Sequence, residues 1–168
     1  RIVVSRSLRK LIRKQIYRIS FDTAFLSVIC ACQFSGARTN STWITPEMRA
    51  AYVNLHQLGH AHSVEVWHDE LLVGGLYGIA LGKAFFGESM FSARANASKL
   101  ALVALSRHLQ AEGFGLIDCQ VHSDHLVSMG AEEISRRDFQ EKLSALLSRE
   151  ERPGAWKTPP NDLLENPS

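Results

Sequence analysis

Three runs decide the fold: Ser63-Val64-Glu65-Val66-Trp67, Leu71-Leu72-Val73-Gly74-Gly75-Leu76-Tyr77-Gly78-Ile79-Ala80 and Lys83-Ala84-Phe85-Phe86-Gly87-Glu88-Ser89-Met90. Apolar residues recur through all three, and short breaks, His68-Asp69-Glu70 and Leu81-Gly82, separate them. Such runs with such short turns predict an antiparallel meander of two or three strands. Outward from it the pattern becomes helical. Upstream, Thr45 caps a helix with Pro46 at its first position, Met48, Ala51, Tyr52 and Leu55 form its buried stripe, and Gly59 stops it. Residues 16–21 alternate like a strand, residues 23–32 read as a helix with Ala24, Phe25, Val28 and Ile29 inward, and residues 33–42 read as a polar loop. Downstream, Asn96 or Ser98 opens a long helix through Gln110, with Gly113 just past its end. Residues 116–121 read as a short strand, 123–129 as a short helix closed by Gly130, and 137–147 as a last helix; past Arg152 the prolines and polar residues read as a tail. The expected class is α/β (α+β), a mixed sheet flanked by helices.

Composition narrows the field. The chain has 168 residues, 45% hydrophobic and 21% charged, which suits one soluble globular core and excludes disorder and collagen. No apolar run approaches the roughly 18 residues of a membrane span, and no secretory leader opens the chain. The cysteines Cys30, Cys32 and Cys119 are too scattered for a disulfide framework, so a reducing cytoplasm is the expected location. The net charge of +2 hides an asymmetry: residues 1–18 carry seven cations and no acid, leaving −5 for the other 150 residues. Ser5 reads as an N-cap, and Leu8, Leu11 and Ile12 recur at helical spacing, so Arg6, Arg9, Lys10, Arg13 and Lys14 cover the remaining faces. A cationic arm on an acidic body suits a polyanion such as nucleic acid; a solvated amphipathic helix is the plainer reading. The expected organisation is an arm over 1–18, a catalytic domain over 19–152 and a tail over 153–168. The first residue, Arg1, is not methionine, which reads as a piece lacking an upstream segment.

The chemistry-bearing residues stand out against apolar surroundings. Asp118 and Gln120 in Ile117-Asp118-Cys119-Gln120 share one face if the strand alternates, and a carboxylate beside an amide in an apolar strand is expensive unless used or satisfied. Glu88 sits among aromatic residues; an incoming ammonium or an ion pair with Arg94 would both satisfy it. His56 and His60 stand four apart, but glutamine replaces the glutamate a zinc protease needs and Gly59 breaks the helix, while Cys30 and Cys32 diverge on a helix. No metal and no cofactor is expected. Leu102, Leu105 and Leu109 form one stripe of the long helix, which suits either an apolar slot or plain core.

Several blocks, in order, closely resemble the leucyl/phenylalanyl-tRNA-protein transferases: Trp43-Ile44-Thr45, residues 58–67 (Leu58 to Trp67), Leu72-Val73-Gly74-Gly75-Leu76-Tyr77-Gly78, Gly87-Glu88-Ser89-Met90-Phe91-Ser92, Asn96-Ala97-Ser98-Lys99, Ile117-Asp118-Cys119-Gln120 and Arg136-Arg137-Asp138-Phe139. The resemblance covers roughly residues 5–150. It implies an acetyltransferase-like (GNAT-like) core and the transfer of leucine or phenylalanine, with methionine as a further candidate, from aminoacyl-tRNA to a protein with amino-terminal arginine or lysine, marking it for degradation. It further implies that Gln120 accepts a hydrogen bond from the attacking amine, that Asp118 orients Gln120, and that Glu88 helps receive the basic terminus. By the same resemblance Leu76, Met90, Leu102, Leu105 and Ile117 form the amino-acid pocket, Trp43, Tyr52 and Phe85 stack the terminal adenosine, and the arm contacts tRNA. Flexible leucine and methionine walls would admit unbranched-at-β side chains and reject valine or isoleucine. Two departures are noted: the family's small, tryptophan-rich amino-terminal domain has no counterpart ahead of the arm, and the loop 33–42 is longer and less acidic than usual. A rival within the same fold, an acetyl-CoA-dependent N-acetyltransferase, needs a glycine-rich phosphate turn where this chain has Ser92-Ala93-Arg94-Ala95-Asn96-Ala97. A tRNA-binding module without catalysis is the third reading.

Overall fold

The computed structural model describes residues 2–34, 44–120, 122–157 and 164. The chain forms α1 (Arg6–Arg13), β1 (Arg18–Phe21), α2 (Phe25–Phe34), α3 (Pro46–Gln57), β2 (Ala61–His68), β3 (Leu71–Leu81), β4 (Ala84–Ser92), α4 (Ala97–Ala111), β5 (Leu116–Asp118), α5 (Asp124–Ser128) and α6 (Arg136–Leu147), then a 3-10 turn at Ala155–Lys157. One sheet runs β1-β2-β3-β4-β5. The first four strands pair antiparallel, β2, β3 and β4 through short turns and β1 with β2 across the α2–α3 excursion, and β5 joins β4 in parallel after the crossover through α4. This is the mixed sheet with helices that the sequence predicts.

Capping follows the sequence closely. The hydroxyls of Ser5, Thr45, Ser123 and Ser135 each accept a backbone N–H of the first turn they precede. The sheet is covered on both faces, which is why residues 61–66 of β2 are all buried rather than alternating. On one side α1, α4, α5 and the 3-10 turn build a core around Leu76, Phe85, Leu100 and Leu105; on the other, α2 and α3 close over Val28, Ile29, Ile44 and Tyr77. Gly74 lets α4 approach: a Cβ there would stand 2.5 Å from the Ala97 Cβ.

Four expectations need correction. The strand after α4 stops at Asp118 instead of Val121, because Gln120 adopts a left-handed backbone (φ +62°) that no ladder continues. In α3 no residue is fully buried, and Ala51 is exposed, since only the Met48, Tyr52 and Leu55 side lies on the sheet. Gln33 and Phe34 end α2 and do not start a loop; the rest of that expected loop lies outside the described residues, as does Trp43. The stretch past Arg152 re-enters the core. Trp156, only 6% exposed, stacks on His62 with ring centroids 3.9 Å apart and leans on His108 at 4.9 Å, while its indole N–H donates to Glu151 at 3.1 Å. A large aromatic surface outweighs the polar sequence around it. No helix among the described residues is long and apolar enough to cross a membrane.

Candidate functional site

The site begins with an irregularity. In the β3–β4 pairing Tyr77 stands opposite Ser89 and Gly78 opposite Gly87, so Glu88 is an extra residue on β4. Such a bulge re-aims a side chain out of the regular alternation. On its other edge β4 pairs with β5 only at Ala84↔Leu116, Phe85↔Ile117 and Phe86↔Asp118. Beyond Phe86 and Asp118 the parallel strands part, and Gly87, Glu88 and Gln120 face one another across the gap.

Three hydrogen-bonding groups close that gap. Asp118 Oδ1 accepts the backbone N–H of Gln120 at 2.8 Å, an Asx-type turn that stabilises the left-handed conformation a non-glycine residue otherwise adopts at a cost of about 1 kcal/mol or more. The Gln120 amide Nε2 donates to the carbonyl of Gly87 at 2.9 Å and to Glu88 Oε1 at 3.2 Å. The Tyr52 hydroxyl donates to Glu88 Oε2 at 2.9 Å. Burial first, and the Glu88 carboxylate second, push the Tyr52 phenol up to about 12, so it stays a donor. Asp118 and Gln120 thus come together through a turn and not through strand alternation, and Asp118 holds the backbone of Gln120 while Gly87 and Glu88 hold its side chain. Glu88 pairs with Tyr52 and Gln120; Arg94, the alternative partner, is exposed on the loop before α4 and makes no ion pair among the described residues.

A cavity of about 1270 Å³ opens beside this gap, between α4, β5, α5 and the start of α6. Its apolar wall includes Leu102, Leu109, Phe114, Ile117, Leu126 and Phe139, and Asp118, Gln120, Glu132 and Glu133 supply polar edges. Of the expected pocket residues, Leu102 and Ile117 line it. Leu76 and Leu105 lie behind that wall, 3% and 1% exposed in the core cluster that Leu102 also joins, and half-buried Met90 packs against the same cluster. Among the expected stacking residues, Tyr52 is half-buried with its ring edge-on to Tyr77 at 5.3 Å. Phe85 is fully buried and faces Trp156 at 5.8 Å, so it offers no open ring face; its place is in the core, because β4 turns it under α4. Sequence reasoning missed the α5 and α6 walls, although Leu126 and Phe139 were legible as the apolar members of short helices.

The arm forms α1. Leu8 and Ile12 are buried against α4, whereas Arg6, Arg9, Lys10, Arg13 and Lys14 are exposed, and no carboxylate among the described residues lies within ion-pair distance of them. The face is a solvent-directed band of positive charge. Of the rejected histidine pair, His56 has a structural role, stacking on Phe25 at 4.3 Å and contacting the carbonyl of Ala61 at 2.8 Å, while His60 is exposed. Among the described residues no three His, Cys, Asp or Glu side chains gather as a metal site would require.

Known proteins supply a comparison for this arrangement. A family model described as leucyl/phenylalanyl-tRNA protein transferase matches residues 1–144. The leucyl/phenylalanyl-tRNA–protein transferase of Aromatoleum aromaticum is 56% identical over 153 residues, covering 91% of this chain and 65% of that protein. That of Cellvibrio japonicus is 59% identical over 140 residues, covering 83% of this chain and 60% of that protein. The chain therefore spans less than two thirds of the length of either relative. Among solved structures, an aminoglycoside acetyltransferase from an uncultured soil metagenomic sample superposes with a TM-score of 0.57 at 15% identity, over 73% of this chain and 93% of that one. A ribosomal-protein-alanine N-acetyltransferase from Brucella melitensis biovar Abortus 2308 gives 0.50 at 10% identity, over 71% and 95%. At those identities the likeness shows an acetyltransferase fold and nothing of the substrate.

Proposed function

The chain belongs to the leucyl/phenylalanyl-tRNA protein transferase family, and from that membership we propose that it moves leucine or phenylalanine from an aminoacyl-tRNA to the amino terminus of an acceptor protein. The observation that carries the reading is the state of Gln120. Both amide hydrogens are engaged, by Gly87 and Glu88, so the carboxamide oxygen is the end left for a ligand.

In the proposed reaction the acceptor's neutral α-amine donates a hydrogen bond to the Gln120 oxygen and attacks the ester carbonyl carbon. The carbon–oxygen bond to the terminal ribose then breaks, and a proton from the amine nitrogen ends on the departing hydroxyl. An amide oxygen is a very weak base, so Gln120 contributes aim and not proton removal. Asp118 keeps Gln120 at the end of β5, and Glu88, an acid beside the attack line, attracts the cationic acceptor. The esterified side chain enters the cavity past Leu102 and Ile117, which favours leucine, phenylalanine or methionine over β-branched residues by shape, a hydrophobic pocket discriminating by about 1 to 3 kcal/mol per methylene. The α1 cations bind the tRNA backbone. Acceptors with amino-terminal arginine or lysine, their subsequent degradation, and a cytoplasmic setting complete the reading.

Acetyl-CoA is the competing donor that the fold allows. Against it, the passage from β4 to α4 lacks glycine, and the Ser92 hydroxyl already accepts the Ser98 N–H at 3.2 Å, at the helix end where a pyrophosphate would need free donors. One assay discriminates: leucyl-tRNA, acetyl-CoA and an arginine-starting peptide are supplied together, and mass spectrometry reads the peptide. Leucine on its amino terminus is expected; acetyl there, or tRNA binding with no transfer, overturns the reading.

A further inference from the structure

We propose that Tyr52 is a positioning residue of the transfer site, acting through its hydroxyl on Glu88 and thereby on the orientation of the Gln120 carboxamide. The inference rests on the reading of Gln120 above and deepens it.

Gly87 O can only accept, and an ionised Glu88 can only accept, so the end of Gln120 that meets both must be its NH2 group, and the oxygen must point away from β4. Flipping the amide would set its oxygen against two acceptors. That orientation is only as firm as Glu88, which lies on a bulge and lacks the ladder neighbours that fix side chains in a regular strand. Its two oxygens are divided: Oε1 faces Gln120 and Oε2 takes the Tyr52 hydroxyl at 2.9 Å. Tyr52 is itself braced, being half-buried on α3 with its ring edge-on to fully buried Tyr77. The chain of contacts therefore runs from the α3 side of the sheet, through the bulge, to the end of β5. Without the hydroxyl, Glu88 is free to turn toward an incoming cation and leave Gln120 with Gly87 alone.

The test uses the full chain in single-turnover transfer from leucyl-tRNA to an arginine-starting peptide. Tyr52→Phe keeps the ring, and with it any stacking on a nucleoside, and removes only the hydroxyl. Loss of one hydrogen bond to a charged group predicts a transfer rate about tenfold lower, with the KM for leucyl-tRNA unchanged; that KM also reports that the variant is folded. In a Glu88→Ala background the same substitution should change the rate less than about twofold, because the two act as one unit. A wild-type rate for Tyr52→Phe, a rise in KM alone, or additive losses with Glu88→Ala would each overturn the proposal. Gln120→Ala separates the levels: if it is slow while Tyr52→Phe is not, only the role of Tyr52 fails, and if it transfers at the wild-type rate the proposed function fails with it.

Discussion

Neutralising one side of α1 is the most quantitative test of the proposal that its exposed cations bind tRNA. Arg6→Gln, Lys10→Gln and Arg13→Gln together remove three of five exposed cations while leaving Leu8 and Ile12, the residues that seat the helix, untouched. Each phosphate contact contributes about 0.7 to 0.9 to the slope of log affinity against log salt. Five contacts at about 0.8 give a slope near −4, so affinity falls about 250-fold between 50 and 200 mM salt; with two contacts the slope is near −1.6 and the fall about tenfold. Filter binding or fluorescence anisotropy of leucyl-tRNA across that range reads the slope directly. The prediction is a slope shallower by about two units, together with an unchanged melting temperature, since none of the three side chains is buried. An unchanged slope would show that α1 does not touch the tRNA. A lowered melting temperature with unchanged slope would show that the cations serve the fold instead.

Three further outcomes follow from the same structure. Gln120→Ala should slow transfer about a hundredfold by losing the aim of the nucleophile, and Asp118→Ala about tenfold by releasing the Gln120 backbone, with the Kd for leucyl-tRNA near wild type in both; a matching loss of binding would mark these residues as part of the fold. Trp156→Ala removes an indole packed on His62, His108, Phe21 and Phe85, which should cost about 3 to 5 kcal/mol in urea unfolding; a loss under about 1 kcal/mol would place that turn outside the cooperative core. Burial lowers the His108 pKa below its ordinary 6.5, so as pH falls through about 6.5 the unfolded chain takes the proton first and stability drops. Chemical denaturation at pH 7.5 and 5.5 should show that drop in the wild type and less of it in His108→Phe; an identical drop in the variant would show that another group sets the pH dependence.

Legibility differed from element to element for reasons that can be named. The meander was readable because two-residue turns leave adjacent strands no choice but to pair, and the helix starts at Ser5, Thr45 and Ser123 because a cap acts within three residues of itself. The exposed cations of α1 were readable for the same reason, as the apolar spacing of Leu8, Leu11 and Ile12 assigns the basic positions to solvent. Alternation, by contrast, misjudged how Asp118 and Gln120 come together, since it holds only while the ladder lasts and β5 has three residues. A leucine stripe on α4 has the same pattern whether a residue borders the cavity, as Leu102 and Leu109 do, or lies behind its wall, as Leu105 does, so the sequence alone does not separate them.

The sequence by itself determined the strand and helix order, the caps, the charge of the arm and, through its ordered blocks, the family. Tertiary structure alone decided that Glu88 is a bulge residue, that Tyr52 grips it from 36 residues away, that Gln120 reaches it from 32 residues away, and that Trp156 closes the core. The division follows from range. Caps, periods and turns are settled by neighbours a few residues apart, whereas a carboxylate's partners depend on which strands separate and where, and that is fixed only when the whole sheet has packed.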